Sequence, residues 1–310
     1  MIIALCLNSS AIEQLLPDDY ELFERFPGSG FIGALKMECM KRGVECLPGR
    51  QVANWLYEKK VDPSKVWILQ EESCETAESL KLLGITKGVL FCLESPLYTP
   101  EFYKNKGKIE PFFKGKTFCF GDEEKLYFPS YSKLDLLTQV VPWENRKDYG
   151  WVTSNQWFDN GDPKNLLPYR AQVLSYFSRH GLELGGQGWI PPRVVENKRN
   201  WLSQFKFTFC IENYEMQGYV TEKIIHALVA GVIPVYIGAP NINEFVPPEL
   251  YVNPSREMPM HELREFLESI DPNQARNMIS MGQEWLEMEG LSFRYDIVAE
   301  RVLDLFWVMK

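Results

Sequence analysis

Short, almost uninterrupted apolar runs alternate with amphipathic segments along most of the chain, and this alternation narrows the possible folds more than any other feature. IIALCL is followed by GFIGALKMECMKRG, VECL by QVANWLYEKK, KVWILQ by ETAESLKLLG, and GVLFCLES closes the series. A run of about four to eight apolar residues suits a strand buried on both faces, whereas the longer segments repeat apolar residues at helical spacing. Strand and helix in alternation build a mostly parallel sheet with helices on both faces, and ligands gather beyond the carboxyl ends of its strands.

After a turn-rich stretch from Pro142 to Gly150 the rhythm restarts with WVTSN, YRAQVLSYFSRHG, LELGG, KFTFCIEN, TEKIIHALVAG and VIPVYIG. A chain of 310 residues is long enough for two cores. The reading is therefore an α/β protein of two Rossmann-like domains facing across a cleft, residues 1–148 and 149–310. The last segment, YDIVAERVLDLFWVM, reads as a terminal helix that packs back on the first domain.

Composition removes several classes of function. The formal charge of −9 sets a field that repels nucleic acid and anionic membranes, so any phosphate site must be local. The seven cysteines, Cys6, Cys39, Cys46, Cys74, Cys92, Cys119 and Cys210, show no CxxC spacing and often sit in apolar runs, as buried thiols do. His180, His226 and His261 lie far apart, so no zinc cluster is expected. No run reaches the roughly 18 apolar residues of a spanning helix, and MIIALCLNSS lacks a basic start. A cytoplasmic protein without an integral membrane segment is expected, in which the Asn8-Ser9-Ser10 sequon has no meaning.

Gly28-Ser29-Gly30-Phe31-Ile32-Gly33 matches the GxGxxG dinucleotide fingerprint and raises a nicotinamide-dependent dehydrogenase as an alternative. That fingerprint needs a buried strand running into its first glycine, but ELFERFP precedes it, charged and ended by Pro27. A tight turn into a helix is the competing reading. The acidic elements Asp18-Asp19 and Asp159-Asn160-Gly161-Asp162 follow no hydrophobic strand, which argues against a metal-binding role.

The stretch 205–238 reads as strand, loop, helix and strand. Alternation in KFTFCI suits a buried strand, Thr221 is placed to cap a helix whose first turn holds Glu222 and Lys223, and Gly231 ends it. Amides at a helix start together with a lysine can hold a departing diphosphate. Lys223 is the candidate for that charge, against the plain alternative of a solvated lysine.

IENYEMQGYVTEK, with the helix, the strand and GAPNINEFVPPELYVN after it, resembles the signature of the α1,3/α1,4-fucosyltransferase family, in which F-E-N and a short polar loop precede Y-[VIT]-T-E-K. LESPLYTP is similar to the family's E-S-P motif, and Ser154-Asn155 with Leu167-Pro168-Tyr169-Arg170 is similar to its S-N segment and following arginine. The chain resembles a bacterial-type member. No stem, anchor or heptad tail is read in it, and LESP lacks the longer polar flanks of animal members.

The resemblance implies a GT-B fold and an inverting transfer of fucose from GDP-fucose to an oligosaccharide acceptor, α1,3 to a GlcNAc-type residue. It implies no cofactor and no metal, protein cations neutralising the diphosphate instead. Glu94 ends the hydrophobic strand GVLFCL, where an α/β sheet places ligand groups, and is the expected general base. Arg170 and Lys223 would stabilise the leaving GDP, with Ser154, Asn155, Asn213, Tyr219 and Glu222 completing the donor-binding set. A carbohydrate-binding protein without catalysis is the alternative from a third class.

Overall fold

The computed structural model describes residues 1–6, 29–71, 75–109, 117–119, 127–137 and 141–308. The Asn8 sequon, the Asp18-Asp19 pair and Gly28 lie outside the described residues. The chain forms two compact units, 1–129 with 295–310, and 130–294. The division therefore falls at 129/130 and again at 294/295, where the sequence reading placed it at 148/149. The reason is local: Ser130 N donates to Phe293 O at 2.8 Å, Tyr131 bridges Arg294, and the Tyr131 hydroxyl donates to Leu286 O at 2.6 Å. These contacts tie residues 130 and 131 to the far end of the second unit.

The first unit runs β1 (Ile2–Cys6), α1 (Ser29–Lys41), β2 (Glu45–Pro48), α2 (Gly49–Tyr57), β3 (Val66–Glu71), α3 (Glu75–Leu82), β4 (Gly88–Cys92), α4 (Pro100–Ile109) and β5 (Thr117–Cys119). Its strands are parallel in the order β2-β1-β3-β4-β5. Each central strand is apolar on both faces because both are covered. Ile3, Leu5, Trp67, Leu69 and Phe91 pack with Phe31, Ile32 and Leu35 of α1, while Ala4, Cys6, Ile68, Leu90 and Cys92 pack with Val52, Ala77, Leu80 and Phe102 on the other side.

The helix Tyr295–Val308 belongs to this unit, where Val298, Ala299, Leu303 and Phe306 join the α1 side of the core. Arg42 at the end of α1 reaches Asp304 at 2.7 Å. A Cβ on Gly30 would lie 2.6 Å from the Tyr295 ring, so the second glycine of the GxGxxG pattern makes room for a neighbouring helix. Gly30 and Gly33 both lie inside α1, consistent with a turn-into-helix reading of that motif.

The second unit runs β6 (Lys147–Val152), α5 (Leu167–Phe177), β7 (Glu183–Gly185), α6 (Lys198–Leu202), β8 (Phe205–Ile211), α7 (Glu222–Val229), β9 (Ile233–Ile237), α8 (Met260–Glu268) and α9 (Pro272–Met288). Its strands are parallel in the order β7-β6-β8-β9. An aromatic layer covers one face: Tyr149 lies 5.0 Å from Phe177 between ring centroids, and Phe177 lies 4.7 Å from Phe209. After β6 the chain winds to one edge, and from β8 to the other. The strand order thus reverses between β6 and β8, the position where open α/β sheets bind ligands at their carboxyl ends.

Candidate functional site

The residues that leave β6 and β8 meet at this switch point. Thr153 follows β6, and Glu212 and Asn213 follow β8. Arg170, in the first turns of α5, reaches both: its Nη1 donates to Asn213 Oδ1 at 2.6 Å and its Nη2 donates to the Thr153 hydroxyl. It is 3% exposed, and its guanidinium carbon stands 5.8 Å from the centre of the Trp151 ring. Arg170 is therefore a cation built into the sheet edge, not a surface helix arginine. Helix α5 is placed by Asn165, whose Oδ1 accepts from Leu167 N at 3.0 Å while Leu166 N donates to Asn213 O at 3.1 Å.

The loop from Asn213 to α7 is fastened by Glu212, which is completely buried. Its carboxylate accepts from Thr221 N at 2.9 Å, from the Thr221 hydroxyl at 2.8 Å and from Lys223 Nζ at 2.8 Å. Lys223 Nζ also donates to Thr221 Oγ1 at 2.9 Å. Thr221 does occupy the N-cap position of α7, but its side chain makes no capping bond. Its hydroxyl donates to the buried carboxylate behind it, and its oxygen accepts from Lys223 Nζ and not from a helix amide, which corrects the expected capping role. A Cβ on Gly238 would lie 2.5 Å from Glu212 Cγ, so glycine at the end of β9 makes room for that carboxylate.

Lys223 is thus neither a solvated lysine nor an isolated charge. Burial works against its ammonium, but Glu212 and Glu222 outweigh that and raise its pKa. Glu222 faces Lys198 of α6, 3.9 Å away. Burial alone would raise the Glu222 pKa, yet Lys223 and Lys198 hold it down to about 2. Lys198 itself is shifted down by burial, which Glu222 offsets in part. His226, one turn further along α7, has Nε2 at 2.9 Å from Ser130 O, and burial together with Lys198 lowers its pKa to about 3. The result is a compact set of three cations, Arg170, Lys198 and Lys223, interleaved with two carboxylates at the amino end of a helix. Such a set can receive a phosphate group from amides and cations together.

The remaining expected residues fall around this core in different ways. Tyr219 is 1% exposed in the loop before α7, with its backbone turned back to Met216 O at 3.2 Å. Ser154 is half-buried beside Thr153, and Asn155 is exposed, its Nδ2 donating to Gly188 O at 3.0 Å and its Oδ1 accepting from Trp157 Nε1. The structure brings Arg170 and Asn213 into direct contact and groups Glu222 with Lys223. The Asp159–Asp162 loop uses its side chains for its own turn: Gly161 N donates to Asp159 Oδ1 at 2.9 Å, and Asp162 accepts from Lys164 N and from the Tyr214 hydroxyl. Among the described residues no cluster of His, Cys, Asp or Glu suits a metal ion.

Glu94 lies in the first unit, two residues after β4, with an exposed side chain. Its backbone carbonyl accepts from the Tyr103 hydroxyl at 3.0 Å, and the next residue, Ser95, is buried and anchors the turn through bonds from Tyr98 N and Thr99 N. The turn holds the glutamate by its backbone and leaves the carboxylate at the surface of the sheet's carboxyl end.

Sequence reasoning missed Glu212, Thr153 and Lys198. Two of them carried a signal: Glu212 is the first polar residue after the apolar strand FKFTFCI, and Thr153 stands just after β6, positions where an α/β sheet presents ligand groups. Lys198 carried none.

Residues 146–285 match the family described as glycosyltransferase family 10 (fucosyltransferase), C-terminal part. The chain is 43% identical over 77 residues to the α-(1,3)-fucosyltransferase FucT of Helicobacter pylori, covering 25% of this chain and 15% of that one. It is 26% identical over 194 residues to the human 4-galactosyl-N-acetylglucosaminide 3-α-L-fucosyltransferase 9, covering 60% and 50%. The chain thus matches half or less of the length of these relatives. A crystal structure of an α1,3-fucosyltransferase with GDP superimposes with a TM-score of 0.52 at 16% identity, covering 100% of this chain and 89% of that one. The fold is that of the GT-B glycosyltransferases. The family-matched segment, residues 146–285, contains the whole Arg170–Asn213–Lys223 arrangement and is similar to the fucosyltransferases of glycosyltransferase family 10.

Proposed function

We propose that this chain transfers fucose from GDP-fucose to a hydroxyl of a glycan acceptor, with inversion at the sugar carbon and α1,3 to a GlcNAc-type residue. The observation that carries the donor half is the buried Arg170, held by Asn213 and Thr153 at the switch point of the segment that matches family 10. The related fucosyltransferase of the same fold was solved with GDP, and the human relative's name describes 3-α-L-fucosylation of a galactosyl-N-acetylglucosaminide.

In this reading the acceptor hydroxyl attacks the anomeric carbon as the Glu94 carboxylate takes its proton. The bond from that carbon to the diphosphate oxygen breaks, and GDP departs with its charge on Arg170, Lys223 and the amides at the start of α7. Glu212 keeps the Lys223 ammonium fixed, Asn213 orients Arg170, and Ser154, Asn155, Tyr219 and Glu222 shape the donor site. Protein cations supply the neutralisation, so the reaction needs no metal and no cofactor.

A donor-by-acceptor activity panel read by mass spectrometry, run with and without excess EDTA, tests the proposal. Fucosylated product from GDP-fucose alone, retained with EDTA, is expected. Binding of glycan without product from any donor would favour a carbohydrate-binding protein, and loss with EDTA restored by manganese would overturn the metal-free reading.

A further inference from the structure

Two indoles are linked to Arg170 through its partner Thr153 and the nearby Asn155. The Trp157 and Trp189 ring centroids are 6.3 Å apart, with the planes inclined at 65°. Trp189 Nε1 donates to Thr153 O at 2.9 Å, and Trp157 Nε1 donates to Asn155 Oδ1. Asn155 in turn donates to Gly188 O at 3.0 Å. The backbones beneath continue the β6–β7 pairing, with Thr153 N donating to Gly185 O and Asn155 N to Gln187 O, both at 2.9 Å. Both rings are thus fixed through their N–H groups, and what they offer is aromatic surface.

Both indoles are only half-buried, unlike the core Trp151, and the apolar side chains near them in sequence stay in water: Ile190 is 96% exposed and Val194 81%. Thr153 joins this pair to the phosphate-type cluster, since its hydroxyl accepts from Arg170 while its carbonyl accepts from Trp189. A nucleoside diphosphate has the same two-ended chemistry, an anionic end for a guanidinium and a flat base for an aromatic face.

We infer that Trp157 and Trp189 form the wall on which the nucleobase of the donor stacks while Arg170 holds its diphosphate. The inference rests on the donor-site reading above and names the subsite that the expected donor residues leave unassigned. Stacking on indole adds affinity through the π face, so a purine, with the larger face, gains most.

The test titrates GDP and inorganic pyrophosphate into the wild-type chain and into Trp157→Leu, Trp189→Leu and Arg170→Ala by calorimetry, with melting temperatures recorded on the same preparations. Each tryptophan variant should lose about tenfold or more in GDP affinity, the scale of one lost base stack, and keep its pyrophosphate affinity. GDP, but not pyrophosphate, should quench the tryptophan fluorescence of the wild-type chain. Unchanged GDP affinity in both tryptophan variants, or equal loss of GDP and pyrophosphate in folded variants, overturns the wall. If Arg170→Ala alone abolishes GDP binding, the donor site stands without the wall. A wild-type chain that binds no GDP overturns the donor reading and the wall together.

Discussion

The Lys223 ammonium lies 2.8 Å from the carboxylate of Glu212, a side chain with no exposure to solvent that also receives the Thr221 amide and hydroxyl. One buried acid therefore sets both the loop entering α7 and the position of its cation. Glu212→Gln keeps the shape but removes the charge. It should lower stability by about 1–3 kcal/mol in urea unfolding, the scale of disrupting a buried charge-assisted contact. Lys223→Ala should weaken GDP binding by about 2 kcal/mol. An unchanged GDP affinity would take Lys223 out of the phosphate site.

Arg170 contributes geometry as well as charge. Its guanidinium donates to Asn213 and Thr153 from two separate nitrogens held in one rigid plane, a geometry that a lysine ammonium does not reproduce. Arg170→Lys preserves the charge and should still weaken GDP binding by about tenfold or more, with a smaller change in melting temperature than Arg170→Ala. Calorimetry with GDP checks this, and near wild-type affinity in the lysine variant would show that the fork is not used.

Acid should loosen the second unit in two overlapping windows. His226 has a folded pKa of about 3 against an ordinary 6.5, so the unfolded chain binds the extra proton, and stability falls as pH drops from about 6.5 towards 3. Glu222 has a folded pKa of about 2 against 4.5, so its contribution is present above 4.5 and is lost as pH falls towards 2. Unfolding free energies from urea titrations between pH 7 and 4 should decline, with a slope from His226 of up to about 1.4 kcal/mol per pH unit. His226→Gln should flatten the upper part of that decline, and an unchanged profile would show that His226 is not held neutral by the fold.

The β-α alternation was legible because strands covered on both faces must be apolar throughout, as IIALC and GVLFC are. The helix after Thr221 and its end at Gly231, where φ is 63°, were legible for the same local reasons. The unit boundary was not, because it depends on Ser130 and Tyr131 pairing with residues more than 150 positions away. Nor was the partner of Lys223: a T-E-K tripeptide shows a helix start, whereas the carboxylate that holds it comes from the residue just after the preceding strand, eleven residues back. Arg170 entered the candidate donor set only through resemblance, since its burial follows from the packing of α5 over Trp151.

Glu94 carries the acceptor half of the proposed chemistry. Its backbone is locked by the Tyr103 hydroxyl and by the turn at Ser95, while its side chain is exposed. An exposed carboxylate adds little to folding, so Glu94→Gln should leave the melting temperature close to that of the wild type. The amide keeps size and hydrogen-bonding capacity but cannot take a proton from an attacking hydroxyl at neutral pH. Transfer should therefore fall by about 10²-fold or more, the usual contribution of a positioned base. GDP affinity should stay near normal, because the proposed donor residues all belong to the second unit. Hydrolysis of the donor without acceptor should survive better than transfer, since water is less demanding to position than a sugar hydroxyl. Transfer rate, GDP affinity and melting temperature on one preparation separate these effects. A folded variant that binds GDP and still transfers fucose at close to the wild-type rate removes Glu94 from the mechanism and makes Glu101, on the first turn of α4, the next carboxylate to change.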